Sequence, residues 1–215
     1  MKQDNSLRVR LLLPGVAILI GLAGLLTGCS DPVFLDSGED LPLNMHEVDP
    51  GQAYRSAQPT GKELTNAIGL LGLKTVINLR GSHPGVQWYD EEANACQQAG
   101  VTLVDFAMSS GSLPDPDLLK GIIETLKTAG YPMLIHCAGG ADRTSAISAI
   151  YLILIAGDDK ADAMHQLSPL YFHFRSKAPC MDALVEMYEP TDEWLNAYTQ
   201  DYDQLKLTCG TASSE

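Results

Sequence analysis

The segment LIHCAGGADRT, at residues 134–144, brings a cysteine and an arginine together across a loop of small residues. Cys137 follows an apolar run that is typical of a buried strand, and Arg143 comes six residues later. The alanines and glycines between them leave main-chain N–H groups accessible, and a helix that starts there adds unpaired N–H groups that favour an anion. Arg143 can hold two oxygens of one phosphate, and the same positive field favours the thiolate of Cys137. The pattern therefore predicts attack of a sulfur nucleophile on a bound phosphoryl group.

The elements around this loop alternate between short apolar strands and amphipathic helices. Strands are predicted where runs are apolar and rich in β-branched residues, at 74–79, 101–108 and 131–137. Helices are predicted between the capping pair Thr60/Glu63 and Gly72, at 87–99, at 116–129 and from about 144 to 156, with two or three more within 159–207. This alternation predicts an α/β fold with a central, mostly parallel sheet flanked by helices. Functional residues are then expected at the carboxyl ends of the strands, where Cys137 lies.

The loop and three other segments resemble a known enzyme family. HCAGGADRT (136–144) is similar to the His-Cys-x5-Arg-Thr signature of cysteine-dependent protein tyrosine and dual-specificity phosphatases. YRSAQP (54–59), TVINLR (75–80) and QLSPLYFHF (166–174) resemble further segments of a bacterial branch, in the same order. The resemblance covers about residues 50–175 and implies a dual-specificity-phosphatase-like fold. It also implies hydrolysis of phosphate monoesters through a phosphocysteine, with protein phosphotyrosine as the expected substrate and phosphoserine or phosphothreonine as further ones.

The resemblance assigns a role to each residue of the signature. It implies that Cys137 is the nucleophile and that Arg143 clamps the phosphate. The sequence has no His/Cys/Asp cluster with the spacing of metal ligands, so the reaction is expected to need neither a metal nor a cofactor. The main-chain amides form the phosphate cradle, and they belong to Ala138, Gly139, Gly140, Ala141 and the two residues that follow. The Thr144 hydroxyl is expected to assist release of the thiolate, and His136 is expected to orient the loop through hydrogen bonds.

Three aspartates are candidates for the general acid. Family members usually place an Asp in a loop roughly thirty residues before the cysteine, but here Asp105 falls inside a strand pattern and Asp115 lies closer to Cys137 than usual. Some bacterial relatives carry an Asp directly before the loop arginine, which favours Asp142. The order of preference is Asp142, then Asp115, then Asp105. Helix capping is the alternative role for Asp115 and, more strongly, for Asp117.

Residues 1–28 have the layout of a bacterial lipoprotein signal peptide. Positive residues precede an apolar run at 11–26 that is short for a membrane span, and Leu26–Cys29 resembles a lipobox. The resemblance implies cleavage before Cys29 and lipid attachment to it. Ser30 then favours the outer membrane, so the expected location is the periplasmic face of the cell envelope. An uncleaved signal anchor is the alternative.

The rest of the chain is predicted to be a tether followed by one folded domain. Residues 29–50 are acidic and interrupted by prolines, as in a tether, and residues 51–210 form the predicted phosphatase domain. The full chain has a formal net charge of −13, and cleavage would leave 11 basic and 26 acidic side chains, a net charge of −15. Such an acidic chain is not expected to bind nucleic acid, which requires basic surfaces.

The expected partners are therefore a phosphorylated protein or a small phosphate ester, and the membrane through Cys29. Arg55 and Arg80 are expected either to add positive charge near the mouth of the site or to pair with carboxylates. Two alternatives stay open. One is a phosphatase for inositol phosphates or phospholipid head groups, which would need a deeper and more basic pocket. The other is a phosphate-binding module that does not catalyse.

Five cysteines are present, and the assignments of Cys29 to lipid and Cys137 to chemistry leave three. Export to an oxidising compartment permits a disulfide. Cys180 with Cys209 is the favoured pair because both lie in the C-terminal segment. The alternative is that these two and Cys96 are all unpaired thiols.

Overall fold

Five short strands form a sheet in the computed structural model, which describes residues 40–211. In chain order they are β1 (His46–Asp49), β2 (Ala53–Ser56), β3 (Thr75–Asn78), β4 (Thr102–Asp105) and β5 (Met133–His136). Their order across the sheet is β1-β2-β5-β3-β4. The last four of these are parallel to one another, and β1 is antiparallel to β2. The predicted α/β fold with a mostly parallel sheet is confirmed.

Seven α-helices connect and cover the strands of the described chain. They are α1 (Gly61–Leu71), α2 (Gln87–Ala99), α3 (Pro116–Thr128), α4 (Asp142–Tyr151), α5 (Lys160–Ala163), α6 (Pro179–Met187) and α7 (Asp192–Thr211). A π-helical turn (Leu152–Ala156) extends α4, and 3₁₀ turns lie at Met164–Gln166 and Pro169–Tyr171. Helix α1 has the predicted capping box of Thr60 and Glu63, and Gly72 ends it in the left-handed conformation. The predicted start of α4 near Thr144 is two residues late, because Asp142 is already helical.

The sheet separates two apolar clusters because successive side chains of a strand point to opposite faces. On one face, Val76 and Leu134 pack with residues of α1 and α2. On the other, Ile77 and Ile135 belong to a larger cluster with residues of α3, α4, α6 and α7. Cys137 is part of this larger cluster. The reactive loop therefore starts from a strand that is buried on both faces, which fixes its position.

The predicted tether ends earlier than residue 50. His46–Asp49 forms the edge strand β1, which pairs with β2 across the turn at residues 50–52, and Met45 is buried. Two strands joined by so short a turn form a local hairpin, so this part of the expected tether belongs to the domain. The predicted signal peptide (1–28) and Cys29 lie outside the described residues. Within residues 40–211, none of the helices combines the length and apolar character that crossing a bilayer requires.

The favoured cysteine pairing is confirmed. A disulfide joins Cys180 in α6 to Cys209 in α7, across a sequence separation of 29 residues. Cys96 and Cys137 are free thiols, and both are buried. Burial raises the pKa of Cys96 to about 12, with smaller contributions from Glu92 and Asp105. Cys96 is therefore an unreactive thiol at neutral pH.

Candidate active site

The loop of residues 137–141 connects β5 to the N-terminus of α4 at the carboxyl edge of the parallel strands. In the sheet register, His136 is paired with Ser56 on β2 and with Asn78 on β3, and Asn78 is paired with Asp105 on β4. The ends of four strands therefore form one row beside the loop. The Cys137 side chain is 3% exposed at this edge. This is where parallel α/β sheets place ligands, as the sequence predicts.

The carbonyl groups of the loop are held from outside by three different donors. The Gln58 N–H donates to the carbonyl of Ala138 at 3.1 Å. Asn44 Nδ2 donates to the carbonyls of residues 139 and 140, and Arg55 Nη2 also donates to residue 140. In a trans peptide the next N–H points away from the preceding C=O, so the N–H groups of residues 139–141 point away from these donors. Because the three carbonyls accept hydrogen bonds from one side of the loop, the amides face the opposite side. An anion requires this arrangement.

One position of the loop accepts only glycine. Gly140 has φ +64°, and a Cβ built there would lie 2.5 Å from Ala57 N and from Ser56 C. Both the left-handed backbone and the lack of space exclude a side chain. At Gly139, by contrast, a Cβ would meet nothing within 4 Å. The loop therefore touches the end of β2 at Gly140, and this contact sets how closely the loop approaches the sheet.

Arg143 points towards the sheet edge and is half-buried. Its Nη1 donates to the carbonyls of Leu79 and Met108, at 3.1 Å each. Leu79 directly follows β3 and Met108 comes three residues after β4, so the guanidinium reaches across the ends of these two strands. Its Nη2 and Nε make no hydrogen bond to any described residue, and they are the donors available to an anion.

Arg55 is neither at the mouth of the site nor paired with a carboxylate, so both expectations for it are wrong. Its side chain is 0% exposed beneath the loop. It donates to the carbonyl of Gly140 at 2.6 Å, to Ser145 Oγ at 2.8 Å and to Gln166 Oε1 at 2.6 Å. Its guanidinium carbon lies 4.0 Å from the centre of the Tyr171 ring. The reason is topological, because β2 lies directly beside β5 and inserts this side chain under the loop.

Arg80 lies at the rim of the site, as expected. Its guanidinium stacks on Trp88 at 3.5 Å from the ring centre, and Nη1 donates to Gln58 Oε1 at 3.0 Å. Burial and the nearby Arg143 lower the pKa of Arg80, whereas Glu92 and Cys137 raise it. These electrostatic effects indicate that two arginines act on one small region around Cys137.

The His136 side chain does not orient the loop through hydrogen bonds, contrary to expectation. It is fully buried, and its Nε2 lies 2.5 Å from Glu92 Oε1 on α2. This contact does not meet hydrogen-bond geometry, so it is a close polar contact. The imidazole faces α2 because β5 side chains alternate, which turns His136 away from Cys137. Glu92 was missed from the sequence, although it lies three residues before the buried Ala95, on the buried face of α2.

Asp142 forms a hydrogen bond with a buried histidine, His173, which was not predicted from the sequence to be part of the site. His173 Nδ1 lies 2.8 Å from Asp142 Oδ1, and its Nε2 lies 2.8 Å from Asp182 Oδ2. A neutral imidazole can donate to only one carboxylate, so this arrangement favours an extra proton shared among the three groups. Burial lowers the pKa of His173, the two carboxylates raise it, and the net shift is upward. The Asp142 side chain keeps 30% of its surface exposed.

The other aspartates have structural partners. Asp115 caps α3, since its Oδ1 accepts from the Leu118 N–H at 3.0 Å, and Asp117 lies in the first turn of that helix. Capping, the alternative role, is therefore found at Asp115. Asp105 accepts from Asn78 Nδ2 at 2.8 Å and from the Tyr89 hydroxyl at 2.5 Å.

The remaining hydroxyl of the signature is buried next to the loop. Thr144 is 0% exposed, and no described residue forms a hydrogen bond with its Oγ1. A buried hydroxyl without a partner is unfavourable by about 1–3 kcal/mol. It therefore provides a donor that an anion in the loop could use.

Comparisons with known proteins agree with this geometry. A family model described as "DSP-PTPase phosphatase fused to NAD+ Kinase" matches residues 35–178. The dual specificity protein phosphatase TpbA of Pseudomonas aeruginosa is 27% identical over 130 residues, which is 60% of this chain and 55% of TpbA. The chain thus spans about half the length of the curated relatives that it matches.

Solved structures show the same fold. The core catalytic domain of the PP-IP phosphatase Siw14 from S. cerevisiae is 24% identical, with a TM-score of 0.59 over 76% of this chain and 96% of that domain. The crystal structure of P. aeruginosa TpbA is 19% identical, with a TM-score of 0.54 over 83% of this chain and 95% of TpbA. A further TpbA structure contains phosphotyrosine. The fold is therefore that of the dual-specificity phosphatases.

Proposed function

The chain belongs to the DSP-PTPase family, and on that premise we propose that it is a cysteine-dependent phosphatase that hydrolyses phosphate monoesters. The observation that carries the proposal is the loop after β5. Donors outside the loop form hydrogen bonds to its carbonyls, and its amides point the other way. Cys137 begins the loop, and Arg143 follows it in the first turn of α4. These are the parts that phosphoryl transfer to sulfur requires.

The reaction has two balanced steps. In the first, the Cys137 thiolate attacks phosphorus, a P–S bond forms, the ester P–O bond breaks, and Asp142 gives a proton to the leaving oxygen. In the second, water attacks the phosphocysteine while Asp142 takes a proton from it, the P–S bond breaks, and phosphate leaves. Arg143 and the loop amides hold the equatorial oxygens in both steps. The Thr144 hydroxyl stabilises the departing thiolate.

The proposed substrate is phosphotyrosine in a protein, with phosphoserine and phosphothreonine as further candidates. The names of the relatives support this class, since TpbA is a dual specificity protein phosphatase that has been crystallised with phosphotyrosine. Inositol phosphates and phospholipid head groups are the alternative class; they carry more charge and would need a deeper and more basic pocket. The exposed part of Trp88 at the rim also offers a flat apolar surface to an aromatic ester.

The test compares wild type with Cys137→Ser on an aryl phosphate. Loss of turnover with an unchanged fold is expected, and Cys96→Ser serves as the matched control because Cys96 is a buried, unreactive thiol. Retained turnover in Cys137→Ser would disprove the proposed nucleophile. Tight vanadate binding by a wild type that does not turn over would instead indicate a phosphate-binding module. Higher turnover of inositol hexakisphosphate than of a phosphotyrosine peptide would identify the alternative substrate class.

We also propose that the protein is exported and anchored in the bacterial cell envelope by lipid on Cys29, on the periplasmic face of the outer membrane. The support is the lipobox-like sequence at residues 26–29 and the preceding charged and apolar regions. Metabolic labelling with a fatty acid is expected to mark the wild type and not Cys29→Ala. Equal labelling of both proteins would exclude this anchor.

A further inference from the structure

Arg55 is a buried charge without a partner of opposite charge. It is 0% exposed, and no carboxylate within residues 40–211 forms an ion pair with it. Its hydrogen-bond partners are all neutral: the carbonyl of Gly140, the Ser145 hydroxyl and Gln166. An uncompensated charge in a protein interior is unfavourable by several kcal/mol. Such a group therefore requires an anion nearby in the functional state.

The groups around Arg55 leave one candidate for that anion. Tyr171 lies under the guanidinium, but burial raises the pKa of its phenol, so it contributes a neutral ring. His46 stays neutral as well, because burial and Arg55 lower its pKa to about 4. Burial lowers the pKa of Arg55 itself to about 10, while Tyr171 and Cys137 raise it. Arg55 is thus cationic at pH 7, and among residues 40–211 Cys137 is the remaining acidic group that acts on it.

We propose that Arg55 is the buried counter-ion of the Cys137 thiolate and, through its bond to Gly140, the positioning residue for the loop. This inference rests on the proposed function for the role of Cys137. The Arg55 side chain would thus have two roles. Its charge favours the anionic sulfur before any substrate binds, and its bond to the loop carbonyl turns the following amide towards the phosphate.

Other charged groups also face Cys137, but their positions differ. Arg80 on the loop after β3 is partly exposed and stacked on Trp88, and Arg143 on α4 has donors available to the phosphate. Glu92 on α2 contacts His136, and Asp142 on α4 is held by His173. Solvent screens a charge at the rim more strongly than one in the interior. Arg55 is therefore the cation whose effect on the sulfur is least weakened by water and salt.

The isosteric variant Gln166→Glu tests the proposal without removing Arg55. Gln166 Oε1 lies 2.6 Å from Arg55 Nη1, so a glutamate there would give the guanidinium a competing carboxylate. Gln166→Met is the matched control, since it loses the same acceptor but adds no charge. The readout is the rate of iodoacetamide alkylation of Cys137, followed by mass spectrometry from pH 5 to pH 10. The pKa of Cys96, raised to about 12, and the disulfide between Cys180 and Cys209 keep the other described thiols out of the reaction.

Gln166→Glu is expected to be alkylated about tenfold more slowly than Gln166→Met at pH 6, which corresponds to a shift of about one pH unit. The difference between the two rates should shrink towards the alkaline end of the pH range. Equal rates at pH 6 in two folded variants would overturn the proposal. Alkylation measures the sulfur without substrate, so this result is independent of phosphatase activity.

A second pair of variants protects the test against misfolding of the first. Arg55→Lys keeps the charge and loses the guanidinium geometry, whereas Arg55→Met loses both. If Arg55 acts as the counter-ion, Arg55→Lys should retain most of the alkylation rate at pH 6, whereas the rate of Arg55→Met should fall about tenfold. If both variants lose the rate equally, Arg55 has only a structural role and the proposal fails. Turnover of an aryl phosphate by wild type, measured alongside, reports separately on the proposed function.

Discussion

The contact between Gly140 and the end of β2 predicts a large effect from adding a single methyl group. In Gly140→Ala the new Cβ would lie 2.5 Å from Ala57 N and Ser56 C, whereas ordinary contact begins at 3.4 Å. The loop must therefore move by about 0.9 Å, because both neighbours are backbone atoms of a central strand. Overpacking of this kind is unfavourable by about 1–3 kcal/mol. The left-handed conformation at φ +64° adds about 1–2 kcal/mol for alanine.

The expected destabilisation of Gly140→Ala is therefore about 2–5 kcal/mol. A matched control separates the two contributions. Gly100 ends α2 with φ +68°, and a Cβ there would meet nothing within 4 Å. Gly100→Ala should then lose only the conformational part, about 1–2 kcal/mol, and should keep full activity because it is remote from the loop.

Enzymatic activity is a more sensitive measure of the effect of Gly140→Ala than stability is. A displacement of the loop near 1 Å is expected to lower kcat/KM on an aryl phosphate by about 100-fold. The assay combines urea unfolding with turnover at a temperature where Gly140→Ala stays folded. If Gly140→Ala and Gly100→Ala lose equal stability and Gly140→Ala keeps its turnover, the loop is not held against β2 and the reasoning is wrong.

Three further predictions follow from contacts around the loop. Asp142→Asn should lower turnover of phenyl phosphate by about 10²–10³-fold. It should affect an ester of a more acidic phenol far less, since a good leaving group needs no proton. Asp115→Asn, which keeps the helix cap, should change neither rate, and equal losses in both variants would contradict the assignment of Asp142 as the general acid. Reduction of the Cys180–Cys209 disulfide should lower the free energy of unfolding by about 2–4 kcal/mol and leave kcat unchanged; a matching loss of kcat would show that the disulfide supports the site. Because the pKa of His173 is raised in the folded state, its contribution to stability is complete below about pH 6.5 and is lost as the pH rises through the folded value. The difference in unfolding free energy between wild type and His173→Gln should therefore shrink from pH 6 to pH 9, and a constant difference would argue against a charged imidazole.

The features that the sequence predicted correctly are mainly local. The capping box of Thr60 and Glu63 and the end of α1 at Gly72 depend on residues within one helical turn. The loop after β5 was identifiable for the same reason, because its small residues and its arginine lie within seven positions. Neighbouring residues alone fix such features, so no knowledge of the tertiary fold is needed.

The features that were missed depend on which elements become neighbours. Arg55 reads as a surface arginine until β2 pairs with β5, which places it under a loop 85 residues away. The sequence predicts a tether at strand β1 because four residues with alternating burial give a weak pattern, and only the pairing with β2 defines the strand. His136 and Glu92 come together for a similar reason, since α2 packs over the strand ends. Composition gives no signal for such contacts.

The acidic surface of the chain is compatible with an anionic substrate because the range of charge effects is short. At physiological ionic strength, exposed charges more than about 8 Å apart are largely screened. Arg55, Arg80 and Arg143 are three of only 14 basic residues, yet all three act on the edge of the sheet around Cys137. The field at the sulfur therefore depends on these arginines and on the low dielectric beneath the loop, and the net charge of −13 has little influence there. For this reason, raising the salt concentration should weaken the effect of Arg80 on the field at the Cys137 sulfur. The effect of Arg55, which lies in the interior, should persist to higher salt.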